Sequence, residues 1–133
     1  MLCEKPVAMS VAETRELIAV RDRTGVRIGE AFMVRTHPQW LRTRELVRNG
    51  AIGELRAVVT AFSYFNDDPG NIRNVLEWGG GGLMDIGCYP IQISRFLFGR
   101  EPLRVSGAIE RDPVMGVDRL SSALLDFGSD FPE

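Results

Sequence analysis

The chain has 133 residues, of which 44% are hydrophobic and 26% are charged. At roughly 150 residues per domain, this length leaves room for a single globular unit and excludes a complete two-domain enzyme. Sixteen basic residues against eighteen acidic ones give a net charge of -2. Neither the basic surface of a nucleic-acid-binding protein nor an acidic tail is therefore available.

Neither a signal peptide nor a membrane-spanning segment is predicted. Glu4 and Lys5 interrupt the opening residues too early for the apolar stretch of a signal peptide, and no later run approaches the ~20 apolar residues of a membrane span. We therefore expect a soluble cytoplasmic protein with neither nucleic acid nor a membrane as a partner. Cys3 and Cys88 lack CxxC or Cys/His spacing, so we expect buried reduced thiols, with no disulfide and no metal site.

The first half of the chain carries signals for two helices and a strand. Ser10 and Glu13 have the spacing of a capping box, and apolar residues follow at helical spacing, so a helix is predicted over 11–23. The β-branched residues of 26–34 predict a strand. A proline in its first turn and a glycine beyond its last turn predict a second helix over 38–49.

The second half is dominated by predicted strands. Residues 54–65 are rich in β-branched and aromatic side chains and alternate in character, which predicts a long strand with at least one buried face. The polar, turn-forming segment 66–74 is typical of loops that carry binding groups. A third helix is predicted over 83–98, directly after four glycines, and two further strands over 105–109 and 120–127.

The order of these elements indicates an α+β fold. A mostly antiparallel, open sheet with helices on one face accommodates the strands of the second half. The tail over 126–133 is predicted to be a strand that enters a hairpin turn whose return strand is absent from the sequence. We therefore expect a sheet that is cut short.

Lys5 is the only lysine among the sixteen basic residues, so the other fifteen are arginines. A lysine ammonium is compact and can exchange a proton with a neighbouring hydroxyl group, which a guanidinium cannot. This contrast favours a chemical role for Lys5. A codon bias towards arginine, which leaves one lysine by accident, explains the same observation equally well.

Four glycines, Gly79 to Gly82, lead into the predicted third helix. Asp85 and Tyr89 follow four residues apart, so a helix places both side chains on one face, where they can point into one cleft. Pro90 lacks an N–H and leaves the carbonyl of Ile86 without its usual partner, which favours a bend. Glycines before a helix can cradle an anion, but no G-x-G-x-x-G motif is present. Close packing or a flexible turn is the commoner role of such a run.

These motifs, in this order, resemble the glucose-fructose oxidoreductase and inositol dehydrogenase family. Glu4-Lys5-Pro6 is similar to the Glu-Lys-Pro motif that members carry after a Rossmann domain. The stretch from Gly80 to Tyr89 is similar to their Gly-Gly-Gly-x-Leu-x-Asp-x-Gly-x-His or Tyr motif, and Asn49 to Leu55 to a third signature. The resemblance covers nearly the whole chain. It implies that residues 1–133 are a fragment of the C-terminal substrate domain, with the Rossmann domain missing upstream.

The tyrosine at position 89, where many members have histidine, resembles the branch of glucose-fructose oxidoreductase, xylose dehydrogenases and dihydrodiol dehydrogenases. This resemblance implies hydride transfer between a sugar, polyol or diol carbon and the nicotinamide of NAD or NADP, with Tyr89 exchanging the hydroxyl proton. A phenol has an ordinary pKa of about 10, and an ammonium such as that of Lys5 favours its ionised form. Asp85 would bind substrate hydroxyls or orient Tyr89.

The resemblance also suggests which residues line the cleft. The residues expected to contact the cofactor are Glu4, Lys5, Pro6 and Trp78, and those expected to contact the substrate are Lys5, Arg35, Arg73, Asp85 and Tyr89. The weaker candidates have simpler alternatives: Trp78 is more commonly a buried aromatic, and Arg73 a solvated arginine. His37, the only histidine, is more often a hydrogen-bonded turn residue than a catalyst.

The glycine fingerprint of the family's Rossmann domain has no counterpart in the sequence. Without it, the pyrophosphate of a dinucleotide lacks a helix N-terminus to bind, so we expect NAD or NADP to bind the parent enzyme and not to bind this chain tightly. Two interpretations remain open. The chain is either the substrate domain of an NAD(P)-dependent oxidoreductase or a catalytically silent assembly module that forms a homo-oligomer through the sheet face.

Overall fold

The computed structural model describes residues 1–128. These residues form two compact units, Met1–Met33 and a second that begins at Val34. No proline- or glycine-rich linker marks this boundary, which is why composition alone predicts a single unit. The predicted hairpin turn at the end of the chain lies outside the described residues.

The first unit is a parallel strand pair connected by a helix. β1 (Leu2–Cys3) pairs with β2 (Gly29–Glu30), and α1 (Val11–Thr24) connects them. Leu2 lies opposite Gly29 and Cys3 opposite Glu30. This β–α–β arrangement is typical of parallel sheets, because parallel neighbours need a long crossover connection.

Both ends of α1 follow from the sequence. The Ser10 hydroxyl accepts the N–H of Glu13 at 3.2 Å, and the Glu13 carboxylate accepts the N–H of Met9 at 3.0 Å. These two bonds satisfy donors that a helix N-terminus leaves free. Gly25, at φ 70°, ends the helix by donating its N–H to the carbonyl of Arg21. The predicted helix is therefore confirmed.

Only part of the predicted strand over 26–34 is paired. Its ladder is limited to Gly29–Glu30, and Met33–Arg35 forms a single 3₁₀ turn. The partner strand ends at Cys3, where the chain bends through Glu4-Lys5-Pro6, and a proline offers no N–H to a ladder. A β-branched sequence can continue as a strand only as far as its partner does.

The α-helices of the second unit, within the part that the structure describes, are α2 (Pro38–Arg48) and α3 (Cys88–Phe98). α2 begins where predicted, and His37 caps it with its ring Nδ1, which accepts the N–H of Gln39 at 3.2 Å. The simpler expectation for this histidine, a hydrogen-bonded turn residue, is thus confirmed. α3 ends at Gly99, which has the left-handed conformation at φ 68°.

Aromatic side chains form the core of the second unit. Phe96 of α3 is buried, and the guanidinium groups of Arg35 and Arg44 lie 5.5 and 4.4 Å from its ring centroid. The ring of Phe98 stacks on that of the buried Phe127, with centroids 4.4 Å apart. Among the described residues of this unit, the buried hydrophobic ones are Val34, Phe96, Val117 and Phe127.

The last two predicted strands are confirmed as an antiparallel hairpin. β3 (Arg104–Arg111) pairs with β4 (Asp118–Asp126). Asp112 organises the turn between them, because its carboxylate accepts the N–H groups of Val114 and Met115 at 2.8 and 2.9 Å. All residues of β3 are exposed, so neither face of the hairpin is fully covered.

Residues 54–65 form no strand, although the sequence predicts a long one with a buried face. Val59 and Phe65 are 94% and 86% exposed. An extended segment is stabilised by ladder bonds to a neighbouring strand, and none of the strands within residues 1–128 pairs with this segment. The composition of the segment shows that its side chains favour a β-strand, but it does not show whether a neighbouring strand is present to pair with.

A cleft of about 1880 Å³ opens within the second unit. It is lined by the segment 56–67, by one face of α3 including Pro90 and Ser94, and by both strands of the hairpin. The exposed apolar side chains of Val105, Ile109 and the neighbouring β4 therefore belong to an open concave surface.

The expected α+β class is confirmed. Residues 1–128 contain three α-helices, one parallel strand pair and one antiparallel pair. Across the same range, every helix is too short or too polar to cross a lipid bilayer.

Candidate active site

The glycine run is a close-packed turn. Gly81 has φ 125°, a conformation that side chains other than hydrogen rarely allow, and a Cβ there would overlap Oδ1 of Asp118. A Cβ on Gly80 would lie 2.7 Å from the carbonyl oxygens of Arg73 and Val75. The close-packing interpretation of the run is therefore confirmed, and its physical cause is the approach of the neighbouring backbone and of β4.

The helix that follows is not uniform. Leu83–Gly87 forms one turn of π-helix, in which the N–H of Cys88 donates to the carbonyl of Leu83, five residues earlier. α3 begins only after this turn. Pro90 has no N–H to donate to Ile86, so the α-helical ladder cannot continue back through this turn unbroken. Single π turns often occur at functional sites because they shift side chains relative to a regular helix.

An aspartate of the hairpin anchors the start of the π turn. Oδ2 of Asp118 accepts the N–H of Leu83 at 2.6 Å and the hydroxyl of Ser121 at 2.8 Å. The first N–H groups of a helix have no partner within the helix, and a carboxylate suits this positive end. The bond therefore connects β4 directly to the segment that carries Asp85 and Tyr89.

Asp85 is held by two side chains from outside its own helix. The Tyr64 hydroxyl donates to Oδ2 of Asp85 at 2.6 Å, and Nε of Arg73 donates to the same oxygen at 3.0 Å. The Asp85 side chain is only 17% exposed, whereas that of Arg73 is 45% exposed. A largely buried carboxylate needs such donors, because desolvation destabilises a charge that lacks partners.

The two tyrosines of the chain have different surroundings. Burial and the bond to the Asp85 carboxylate raise the pKa of Tyr64 to about 12, against a smaller opposing effect of Arg73. Tyr64 therefore stays protonated near neutral pH and acts as a donor. The ring of Tyr89 lies beside that of Phe62, with centroids 6.2 Å apart and planes tilted by 43°.

The structure brings together some of the residues that the sequence singles out. Asp85 and Arg73 are in direct contact, and Tyr89 follows Asp85 along the same helical segment. Arg35 lies instead against Phe96, near the opposite end of α3. Trp78 is 65% exposed, so the alternative of a buried aromatic is wrong.

Glu4, Lys5 and Pro6 follow β1 in the first unit, whereas Asp85 and Tyr89 belong to the second. That the Lys5 ammonium lies close enough to Tyr89 to favour its ionised form therefore stays a prediction. The two cysteines are partly exposed, so the expectation that both are buried is wrong.

Sequence reasoning did not identify Tyr64 or Phe62 as site residues. Both lie in the segment that was predicted as a strand, two positions apart, and they contact Asp85 and Tyr89, which are four apart. Residues two apart in an extended chain project to the same side. The alternating pattern therefore indicated a shared face, but not which helix that face would meet.

The strand, turn and helix of the first unit do not fit a dinucleotide pyrophosphate. A Rossmann motif has glycines between strand and helix, whereas this turn contains Glu4, Lys5 and Pro6. The capping box also places the carboxylate of Glu13 at the helix N-terminus, where a phosphate would need to bind. Among residues 1–128 there is likewise no cluster of His, Cys, Asp and Glu that could hold a metal ion.

Comparison with known proteins gives a consistent picture. Residues 40–132 match the model of the GFO/IDH/MocA C-terminal domain. Over 96% of its length the chain is 50% identical to an uncharacterized oxidoreductase of Rhizobium meliloti and 35% identical to the trans-1,2-dihydrobenzene-1,2-diol dehydrogenase of Mus musculus. Over 97% it is 37% identical to the D-xylose 1-dehydrogenase (NADP(+)) 2 of Haloferax volcanii. It spans only 38%, 38% and 39% of the length of these relatives.

Solved structures agree. The aldose-aldose oxidoreductase of Caulobacter crescentus, complexed with glycerol, superposes with a TM-score of 0.85 at 32% identity, over 92% of this chain and 38% of that one. A 3-ketoreductase of Actinomadura kijaniata, in complex with NADP and TDP-benzene, superposes with a TM-score of 0.78 at 31% identity, over 88% and 36%. The chain therefore belongs to the GFO/IDH/MocA family of oxidoreductases, the glucose-fructose oxidoreductase and inositol dehydrogenase family that its motifs resemble.

Proposed function

We propose that this chain is part of the substrate domain of an NAD(P)-dependent oxidoreductase. The reaction is hydride transfer between the nicotinamide and a hydroxyl-bearing or carbonyl carbon of a sugar, polyol or diol. The observation that carries the proposal is the constellation of Tyr64, Arg73 and Asp85, one turn before Tyr89. A largely buried carboxylate that accepts two hydrogen bonds, one turn before a phenol, is suited to binding hydroxyl groups beside a proton carrier.

Each proposed catalytic residue has a distinct task. In the oxidative direction, the ionised phenol (phenolate) oxygen of Tyr89 takes the proton of the substrate hydroxyl, and in the reductive direction the neutral phenol donates that proton to the substrate oxygen. The ammonium of Lys5 stabilises the ionised phenol, and the carboxylate of Asp85 accepts hydrogen bonds from substrate hydroxyls or orients Tyr89. When bound, the nicotinamide supplies or accepts the hydride.

The relatives support the choice of substrate and cofactor class. One is named for D-xylose and NADP(+), another for a dihydrodiol, and one solved relative holds glycerol. We propose Arg35 and Arg73 as further substrate contacts, and Glu4, Pro6 and Trp78 as contacts at the nicotinamide end. The pyrophosphate would be bound by a Rossmann domain that precedes Glu4.

An assembly module without chemistry is the second candidate. The hairpin favours it, because Leu120 and Leu124, four residues apart on one face of β4, are 58% and 72% exposed, and large apolar patches commonly mark protein contacts. Under the oxidoreductase proposal the same face would serve as the contact between subunits of a homo-oligomer. Self-association alone therefore does not distinguish the oxidoreductase from the assembly module. A measurement of catalytic activity does.

The proposal is tested with the longer protein that contains this chain and a preceding Rossmann domain. A panel of aldoses, polyols and trans-diols is assayed with NAD and NADP, comparing wild type with Tyr89→Phe. We expect activity on at least one member of the panel and a loss of at least ~100-fold in kcat for the variant, because general acid–base catalysis contributes about that much or more. Val114→Ala, at a 90% exposed position in the hairpin turn that does not line the cleft, serves as the control and should retain wild-type activity.

Two results would contradict this function. Stable self-association combined with no activity on any member of the panel would favour the assembly module. Unchanged kcat in Tyr89→Phe and Lys5→Met would likewise remove the catalytic assignment, even if a substrate were found.

A further inference from the structure

The segment around Phe62 and Tyr64 contacts both functional groups of the candidate site. The Phe62 ring lies beside the Tyr89 ring, and the Tyr64 hydroxyl donates to the Asp85 carboxylate. Two residues of this segment, two positions apart, thus meet two side chains that are four positions apart on the π turn and α3. Through these two contacts, the segment supports the π turn and the start of α3.

The bonds to Asp85 also fix the direction of its carboxylate. Tyr64 and Arg73 approach the same oxygen, Oδ2, from two different parts of the chain. Arg73 is itself positioned by Asn71, whose side-chain oxygen accepts the Arg73 backbone N–H at 3.1 Å. Two converging donors at one oxygen restrict rotation of a carboxylate more than one donor does, and bonds to an ionised acceptor are among the stronger hydrogen bonds in proteins.

We propose that Tyr64 is a positioning residue of the active site, which acts with Arg73 by orienting the Asp85 carboxylate towards the substrate. This inference rests on the proposed function. It assigns separate roles to the two tyrosines: Tyr89 exchanges a proton with the substrate, whereas Tyr64 retains its proton and donates a hydrogen bond throughout the reaction.

The surroundings of Tyr64 favour this division. The charged groups that act on it are Asp85, which stabilises the neutral phenol through the hydrogen bond and by repulsion of the phenolate, and Arg73, which opposes this weakly. A phenol bonded to a carboxylate is a poor proton acceptor and a good donor, because its ionisation would place two negative charges side by side. Tyr64 is therefore chemically suited to hold Asp85 and unsuited to replace Tyr89.

The first test uses the full 133-residue chain and needs no catalysis. In a Tyr89→Phe background Tyr64 is the only tyrosine, so its ionisation can be followed by NMR of its labelled Cζ or by tyrosinate absorbance. At pH 11 we expect Tyr64 to remain largely protonated, and the additional change Asp85→Asn to shift its midpoint down towards 10. A midpoint near 10 that does not respond to Asp85→Asn would overturn the inference.

The second test is a double-mutant cycle in the active longer protein. Tyr64→Phe removes only the hydroxyl, and we expect a loss of about tenfold in kcat/KM, as for a hydrogen bond to a charged group. In an Asp85→Ala background the same change should cost less than about twofold, because its target is absent. Val114→Ala, at a 90% exposed position in the hairpin turn that does not line the cleft, should behave as wild type in both backgrounds.

The outcomes separate this inference from the proposed function. Equal losses in the two backgrounds would assign Tyr64 a merely structural role and overturn the inference, while the activity itself would stand. If the wild-type protein oxidises or reduces no member of the panel, the proposed function fails. The titration of the chain then decides separately whether Tyr64 is held by Asp85.

Discussion

Three neighbouring glycines differ in what a side chain would meet, and this difference explains why the site segment begins as it does. Gly80 and Gly81 lie against carbonyl oxygens and the Asp118 carboxylate, respectively. Gly82 has helical backbone angles, and a Cβ there would meet only ordinary contacts at 3.5 Å. At Gly80 and Gly81 only glycine fits the close packing, whereas the backbone and surroundings of Gly82 also accept a side chain.

This contrast predicts the stability of alanine variants. Gly81→Ala should lower the free energy of unfolding by at least about 2 kcal/mol, because it combines a left-handed conformation with an overlap. Gly82→Ala should change it by less than about 1 kcal/mol, since alanine is the better helix former. Denaturant unfolding of the chain measures both. Equal effects of the two variants would contradict the packing described for Gly81.

At the same scale, some members of the candidate site are recognisable in the sequence and others are not. Asp85 was identifiable because its motif and its spacing from Tyr89 are local features. The contact between Arg73 and Asp85 was not, because two segments twelve residues apart meet only through the fold of the intervening turns. Tyr64 was not identifiable either, because aromatic residues are common in β-strands and one in a β-rich segment does not stand out as a site residue.

At the level of elements, helix ends were predictable and strand pairing was not. The caps of α1 and α2 depend on residues within three positions of each helix start, so a short sequence window contains the necessary chemistry. The segment 54–65 shows the opposite case, because a strand needs a neighbour that no local pattern specifies. The π turn lies between these cases: Pro90 indicated a bend, but not its form.

The hydrogen bond from the Leu83 N–H to Asp118, which connects the π turn to the hairpin, leads to a prediction at this scale. Asp118→Ala removes the acceptor of the Leu83 N–H, so we expect a loss of about 1 to 2 kcal/mol in the free energy of unfolding, as for other lost helix caps. Hydrogen exchange at the Leu83 amide should also become faster. Ser121→Ala removes the other bond to Oδ2 and leaves the cap, so it should affect the Leu83 amide much less. Equal exchange rates in wild type and Asp118→Ala would contradict the capping role.

At the level of the whole molecule, family membership was predictable because it rests on the order of motifs along the chain. The division into two units at Met33 was not, since the first unit ends without a change in composition. The β–α–β form of that unit raises the question of whether the unit can bind a dinucleotide. A parallel pair with a crossover helix is the building block of a dinucleotide-binding domain, but this copy carries Glu4-Lys5-Pro6 in place of the glycine turn.

This difference predicts that the 133-residue chain by itself does not bind NADH or NADPH at micromolar concentrations. The pyrophosphate needs a glycine turn before an open helix N-terminus, and the carboxylate of Glu13 occupies that position in α1. Titration of the chain with each reduced dinucleotide, followed by calorimetry and nicotinamide fluorescence, measures the affinity. The D-xylose 1-dehydrogenase (NADP(+)) 2 of Haloferax volcanii, which is 37% identical over the shared region, serves as the positive control for NADPH. Micromolar binding by the isolated chain would mean that it contains a pyrophosphate site outside the Rossmann arrangement.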